Sequence, residues 1–246
     1  MGVKEPPGGR EMSYLRYVKV IGTMHVSPES REEVLSTILR ERPNAVAVEL
    51  DRARFLSMQS GAEMSIEDVL RFGRRGLINY ALAKVEEKLG DEFGMKPGEE
   101  MKAAISAAGL LGVPLYLIDE DINAILGKIT AAPAREKLLM ALEGLSVFLP
   151  VKPTTEESNP MEEYRAMMFA FRQRYPYLFR VLVEERNEIM ARNLISAVDE
   201  LKLSGIRRPK VIAVVGLGHK SGIEHFLDRV KERNYWDYGV SRYVYI

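Results

Sequence analysis

The sequence contains no cysteine, which removes disulfides and thiolate metal sites together and fits a reducing, cytoplasmic setting. Glutamine occurs only at Gln59 and Gln173 in a chain dense with charge, a profile that leans towards a heat-adapted (thermophile) source. Lysine plus arginine and aspartate plus glutamate number 35 each, so no excess of positive charge calls for a nucleic acid partner. No window approaches the roughly 18 uninterrupted apolar residues of a transmembrane helix, so no membrane span is expected. The first 13 residues are polar and rich in Gly and Pro, with no signal-peptide core. Pro6 stands where a myristoylation signal needs Ser or Thr. Phosphate-binding loops, nucleophile elbows and His-Glu-x-x-His helices are also missing.

What the chain does have is a set of short, almost wholly apolar runs. The expected strands are Tyr17–Ile21, Ala45–Leu50, Val113–Ile118 and Lys210–Val215. Runs with so little alternation belong to strands covered on both faces. Between the first two, Ser27-Pro28 starts a helix and Pro43-Asn44 stops it, which predicts a βαβ unit with a parallel pair. The fold class expected is α/β, an open and mostly parallel sheet covered by helices, with a helical insertion before the last core strand. Residues 1–13 read as a disordered lead-in and 14–246 as a single domain with a helical subdomain at about 121–205. Helices are expected over Glu99–Leu111, Ala134–Leu149, Met161–Arg174, Leu178–Leu203 and about Gly222–Arg233, and Arg242–Ile246 reads as an edge strand.

The chain holds three histidines, and two of them repeat one device. Val18–Ile21 runs into Gly22-Thr23-Met24-His25, and Val211–Val215 runs into Gly216-Leu217-Gly218-His219. In open α/β sheets ligands bind beyond the carboxyl ends of the strands, and the four expected strands end in or near His25, Glu49, Asp119 and His219. Gly22, Gly216 and Gly218 would let the backbone turn and approach a ligand closely. Two neutral imidazoles and a carboxylate suit a divalent metal such as Mn²⁺, Co²⁺ or Zn²⁺. A carboxylate inside Val46-Ala47-Val48-Glu49-Leu50 needs a partner, a hydrogen bond or a metal. Glu100 or Glu185 would complete the shell or serve as general base. Asp119 reads as a cap for the helix that follows, His225 as incidental on a surface helix, and Tyr164, Met167, Met168 and Phe171 as core. Gly216-x-Gly218-x-x-x-Gly222 imitates a dinucleotide fingerprint, but too little sequence follows for a nucleotide-binding half.

Six stretches in order complete the pattern: Ile21-Gly-Thr-Met-His25-Val-Ser, Val48-Glu49-Leu50-Asp51 with Arg54, Gly98-Glu-Glu100-Met-Lys-Ala-Ala104, Leu117-Ile-Asp119 with Asp121-Ile122, Glu185-Arg186-Asn187, and Val214-Val-Gly216-Leu-Gly-His219-Lys-Ser-Gly222. Together they resemble the TraB/PrgY family, related to the GumN and Tiki proteins and more distantly to erythromycin-esterase-like and ChaN-like folds. The resemblance implies a metal-dependent hydrolase, since Tiki-type members act as proteases and PrgY is linked to shutdown of peptide pheromone signalling. On that pattern the paired histidines are His25 and His219, the acidic positions Glu49 and Glu100, and the Glu-Arg-Asn positions Glu185, Arg186 and Asn187. The resulting expectation is a metal held by His25, His219 and a carboxylate (Glu49 or Glu185), Glu49 or Glu100 as base, and Arg186 beside the oxyanion, with Asn187 completing the motif. Asp119-Glu120-Asp121 stands where an Arg-Asp-Ile-like segment is usual, and no counterpart of the membrane-spanning part of many TraB-type proteins is seen. The expected substrate is a small peptide or other small molecule, with a homodimer as the self-assembly to test for. The rival expectations are a peptide- or pheromone-binding regulator without turnover and an iron or haem binder.

Overall fold

The computed structural model describes residues 13–23, 28–60, 98–139 and 160–231. His25, residues 61–97, the part of the expected helix Ala134–Leu149 from residue 140 on, and the expected strand Arg242–Ile246 lie outside the described residues. The chain divides into two compact units, one of residues 1–50, 85–119 and 188–246, the other of 51–84 and 120–187.

The first unit is built on a parallel sheet of four strands: β1 (Val18–Thr23), β2 (Ala45–Val48), β3 (Leu115–Leu117) and β4 (Val211–Gly216), in the spatial order β1-β4-β2-β3. The α/β class and the parallel sheet expected from the apolar runs are both present. The neighbour relation differs from the simple βαβ reading, because β4 lies between β1 and β2 and pairs with both. The reason is burial: all six residues of β4 are buried, whereas β1 exposes Lys19. A strand with no solvent-facing residue belongs inside the sheet, where its backbone groups find partners on both sides.

Side chains alternate along each strand, so the sheet presents two apolar faces. Val18, Val20, Ala45, Ala47, Val211, Ala213 and Val215 share a core with two helices, α7 (Arg186–Leu203) and α8 (Leu217–Arg229). Helix α7 contributes Met190, Ala191, Leu194, Ala197, Val198 and Leu201, and α8 contributes Ile223 and Leu227. Val46, Val48, Ile212 and Val214 point the other way, towards α3 (Glu99–Leu111), which packs on β2 and β4 and against α1 (Pro28–Glu41). The buried alanines 103, 104, 107 and 108 bring α3 close to its neighbours. Each fully buried valine or isoleucine contributes about 1.5–3 kcal/mol, so these two faces dominate the energetics of the unit. Gly112, at φ 64°, ends α3 in the left-handed conformation that a Cβ would disfavour.

The second unit contains α2 (Arg52–Ser60), α4 (Ile122–Thr130), α5 (Pro160–Arg174) and the short α6 (Pro176–Phe179). Asp51 caps α2 by accepting from the Ala53 and Arg54 N–H groups and pairs with the Arg54 guanidinium. Asp121, not Asp119, caps α4, accepting the Asn123 N–H at 2.8 Å, while Asp119 stays buried. The expected continuous helix Leu178–Leu203 is interrupted by a π-helical stretch, Arg180–Glu185. From Glu188 onward α7 belongs to the sheet unit, because its apolar stripe from Met190 to Leu201 packs in the sheet's core. Met167, expected in the core, is 47% exposed on α5. The helical spacing of the apolar residues of α5 does not by itself bury them.

Candidate functional site

The carboxyl ends of β2 and β4 bring Glu49 and His219 together. Glu49 has the same parity as Ala45 and Ala47, so it leaves the strand on the face covered by α7 and α8. Its backbone is fixed on the β4 side by the Glu49 N–H, which donates to the Val214 carbonyl at 3.1 Å. On the β3 side the Ile118 N–H donates to Val48 and the Asp119 N–H to Leu50. The Asn193 side chain of α7 donates to the Ile118 carbonyl at 2.7 Å and anchors that end of the sheet.

Helix α8 starts immediately after β4, with Gly216 as its N-cap. The sequence pattern puts the helix start near Gly222, beyond His219. In the structure Leu217, Gly218 and His219 form the first turn. Glu49 supplies the reason: its Oε2 accepts the Gly216 N–H at 2.7 Å, satisfying one of the orphan donors at a helix start. A carboxylate at that position also meets the positive end of the helix dipole. The other oxygen, Oε1, lies 3.4 Å from His219 Nε2, and both side chains are largely buried, 13% and 10% exposed.

The glycines have distinct local roles. An added Cβ on Gly22 would come within 3.0 Å of Lys220 Cβ and 3.2 Å of Leu217 Cδ1, so only a bare backbone lets the first turn of α8 dock on β1. Thr23, the last residue of β1, pairs with Gly216 in register and donates its hydroxyl to the Val215 carbonyl at 3.3 Å. His25 follows two residues later in sequence and lies outside the described residues.

Glu100 belongs to the same unit, in the first turn of α3, and has no exposed surface. Helix α3 leads directly into the amino end of β3, so it runs antiparallel to the strands and its first turn lies towards their carboxyl ends. Glu185, Arg186 and Asn187 belong to the second unit. There Glu185 makes ion pairs with Lys128 at 2.9 Å and Arg180 at 3.4 Å. Arg186 Nη1 donates to the Leu182 carbonyl at 3.1 Å, inside the π-helical stretch. Lys128 also pairs with Glu120 at 2.7 Å. The polar groups near the candidate site that sequence reasoning missed are the Gly216 N–H, Thr23 and Asn193. A backbone donor leaves no trace in the sequence, and a lone Thr or Asn has no distinguishing spacing.

The donor chemistry of the Glu49–His219 pair fits a divalent cation. Two ligands each about 2.1 Å from a tetrahedral ion stand about 3.4 Å apart, which matches one edge of such a shell. Glu49 Oε2 is already hydrogen-bonded, the outer support that holds a ligating carboxylate in one orientation. Among the described residues no cluster of three or more His, Asp and Glu side chains forms around the pair.

The sequence profile of the TraB/PrgY/gumN family matches residues 14–236. The chain belongs to that family. An uncharacterized protein of Methanocaldococcus jannaschii, MJ1365, is 33% identical over 230 residues, covering 88% of this chain and 55% of that protein. The human TraB domain-containing protein is 29% identical over 231 residues, and its mouse counterpart 28% over 232, each alignment covering 84% of this chain. The chain spans 55–61% of the length of these relatives. Within this TraB-family chain the two ends of the match, the strand before His25 and the strand before His219, are the neighbouring strands β1 and β4. Among the described residues no helix is long and apolar enough to cross a membrane.

Proposed function

We propose that this chain is a metal-dependent hydrolase acting on peptide bonds, with His219, Glu49 and His25 as the protein ligands of a divalent cation (Mn²⁺, Co²⁺ or Zn²⁺). The observation that carries the reading is the 3.4 Å separation of His219 Nε2 and Glu49 Oε1, at the carboxyl ends of adjacent buried strands. The placement of β1 beside β4, with Thr23 level with Gly216, supports His25 as the third member. A divalent cation held by these residues would lower the pKa of water at the site towards neutrality. Glu49 orients the site, held by the Gly216 N–H. Glu100 is the proposed base: it takes a proton from water as the new C–O bond forms and returns it to the amine nitrogen as the C–N bond breaks.

The test is metal analysis of the purified chain beside His25→Ala and His219→Ala, followed by peptidase assays on the metal-loaded forms. The expected result is about one equivalent of metal per parent chain and a loss of most of it in either variant. Equal metal content in all three proteins would overturn the assignment. Saturable peptide binding with no turnover, unchanged in Glu49→Gln, would replace it with a binding protein on the same scaffold.

A further inference from the structure

Strand β1 is an edge of the sheet: among the described residues it pairs only with β4. An edge strand keeps alternate backbone N–H and C=O groups without sheet partners, a template for another extended chain. A cavity of about 180 Å³ lies along this edge, lined by all five residues from Lys19 to Thr23. Consecutive strand residues point to opposite faces of a sheet, so a cavity touched by every one of them follows the strand's edge rather than either face. Its walls come from both layers of the fold, Glu33, Val34 and Thr37 of α1 on one side and Lys220 of α8 on the other. The slot therefore has the shape an added strand needs, open along the backbone and flanked by side chains.

The slot also reaches the end of the sheet that carries the Glu49–His219 pair. Its downstream end is Thr23, level with Gly216, whose N–H binds Glu49. Its α8 wall is Lys220, the residue after His219. We infer that an extended peptide binds in this slot by adding a strand to the edge of β1 that the described residues leave unpaired, so that its backbone runs towards the carboxyl end of the sheet, where the Glu49–His219 pair lies. The occupant is a polypeptide because the outer edge of β1 offers backbone donors and acceptors along the slot, which another backbone matches in spacing. This inference rests on reading the site as a peptide-bond hydrolase, and it assigns how the substrate of that site is held.

The experiment uses the full chain in the presence of EDTA, with fluorescein-labelled β-casein, an unfolded protein, as the probe. Binding is read by fluorescence anisotropy, and the amide exchange of ¹⁵N-labelled chain is followed by NMR. Glu33 is exposed on the α1 wall, so Glu33→Trp obstructs the slot without disturbing the core. Strand addition predicts binding about tenfold weaker in Glu33→Trp. It also predicts that peptide slows amide exchange at alternate residues between Lys19 and Thr23, not at all of them. No probe binding up to millimolar concentration, equal affinity in Glu33→Trp, or unchanged exchange in β1 would overturn the inference. So would protection of β1 that rises with protein concentration in the absence of probe, because a second copy would then occupy the edge. Binding with the alternating pattern but no cleavage after metal loading would leave the inference standing and sink the hydrolase reading. Cleavage without any change at β1 would do the reverse.

Discussion

Replacing Glu49 separates what its charge does from what its shape does. The Oε2 atom accepts the Gly216 N–H at 2.7 Å, the first donor of α8, and the side chain is 13% exposed. A hydrogen bond to a charged group is worth about 1.5–3 kcal/mol and a neutral one about 0.5–1.5 kcal/mol. Glu49→Gln keeps an acceptor of the same length and loses the charge, costing about 1 kcal/mol in the hydrogen bond. It loses about 0.3–1 kcal/mol more in the helix-dipole interaction. Glu49→Ala also leaves the Gly216 N–H unsatisfied, adding about 1–3 kcal/mol. The expected order of stability is parent, Gln, Ala, with a first step of about 1–2 kcal/mol and a second of about 1–3 kcal/mol. Urea unfolding followed by circular dichroism, with EDTA present so that metal loss plays no part, measures both steps. Thermal melts should move by about 2–4 °C per kcal/mol in a chain of this size. If Gln and Ala are equally stable, Gly216 does not depend on Glu49 as an acceptor and the account of the α8 start fails. If both match the parent, the carboxylate contributes nothing to that helix.

Gly22→Ala places a Cβ 3.0 Å from Lys220 Cβ, and overpacking of that kind costs about 1–3 kcal/mol. The variant should lower the urea midpoint and, by displacing the first turn of α8, weaken metal binding; an unaltered midpoint would show that α8 docks less tightly than the contact implies. Glu41 bonds to the ammonium groups of Lys19 and Lys210, and chiefly through those bonds its carboxyl is lowered from 4.5 to about 2. Because the folded value lies below the unfolded one, the stabilisation is fully present above about pH 4.5 and is lost as the pH falls towards 2. Solvent screening limits it to about 1 kcal/mol or less. Glu41→Gln should reduce the acid sensitivity of unfolding between those pH values, and added salt should shrink the difference between parent and variant.

The parts of the fold that were legible in the sequence are those set by local pattern. Val46-Ala47-Val48 and Val211–Val215 are apolar without alternation, and they form strands buried on both faces. The device at Gly216–His219 was legible as a candidate site only, from a glycine after a buried run followed by an imidazole. What the device would look like was not legible. The stretch between the expected strand and the expected helix is the first turn of the helix itself, and its N-terminal donor is satisfied by a residue 167 positions away in the chain. Asp119 and Asp121 offer the same side chain two residues apart, and only the path of the backbone after β3 decides that Asp121 is the cap. Glu185 carries the same charge as Glu49, yet Lys128 and Arg180 surround it.

The sequence by itself determined the class of fold, the family and the short list of polar residues at strand ends, because each is written in the spacing of neighbouring residues. Only the tertiary structure decided that β4 separates β1 from β2, that Glu49 lies beside His219, and that among the described residues β1 pairs with β4 alone. Those facts depend on which strands become neighbours. That choice is made by burying six consecutive residues of β4 from both sides, and no local window contains it.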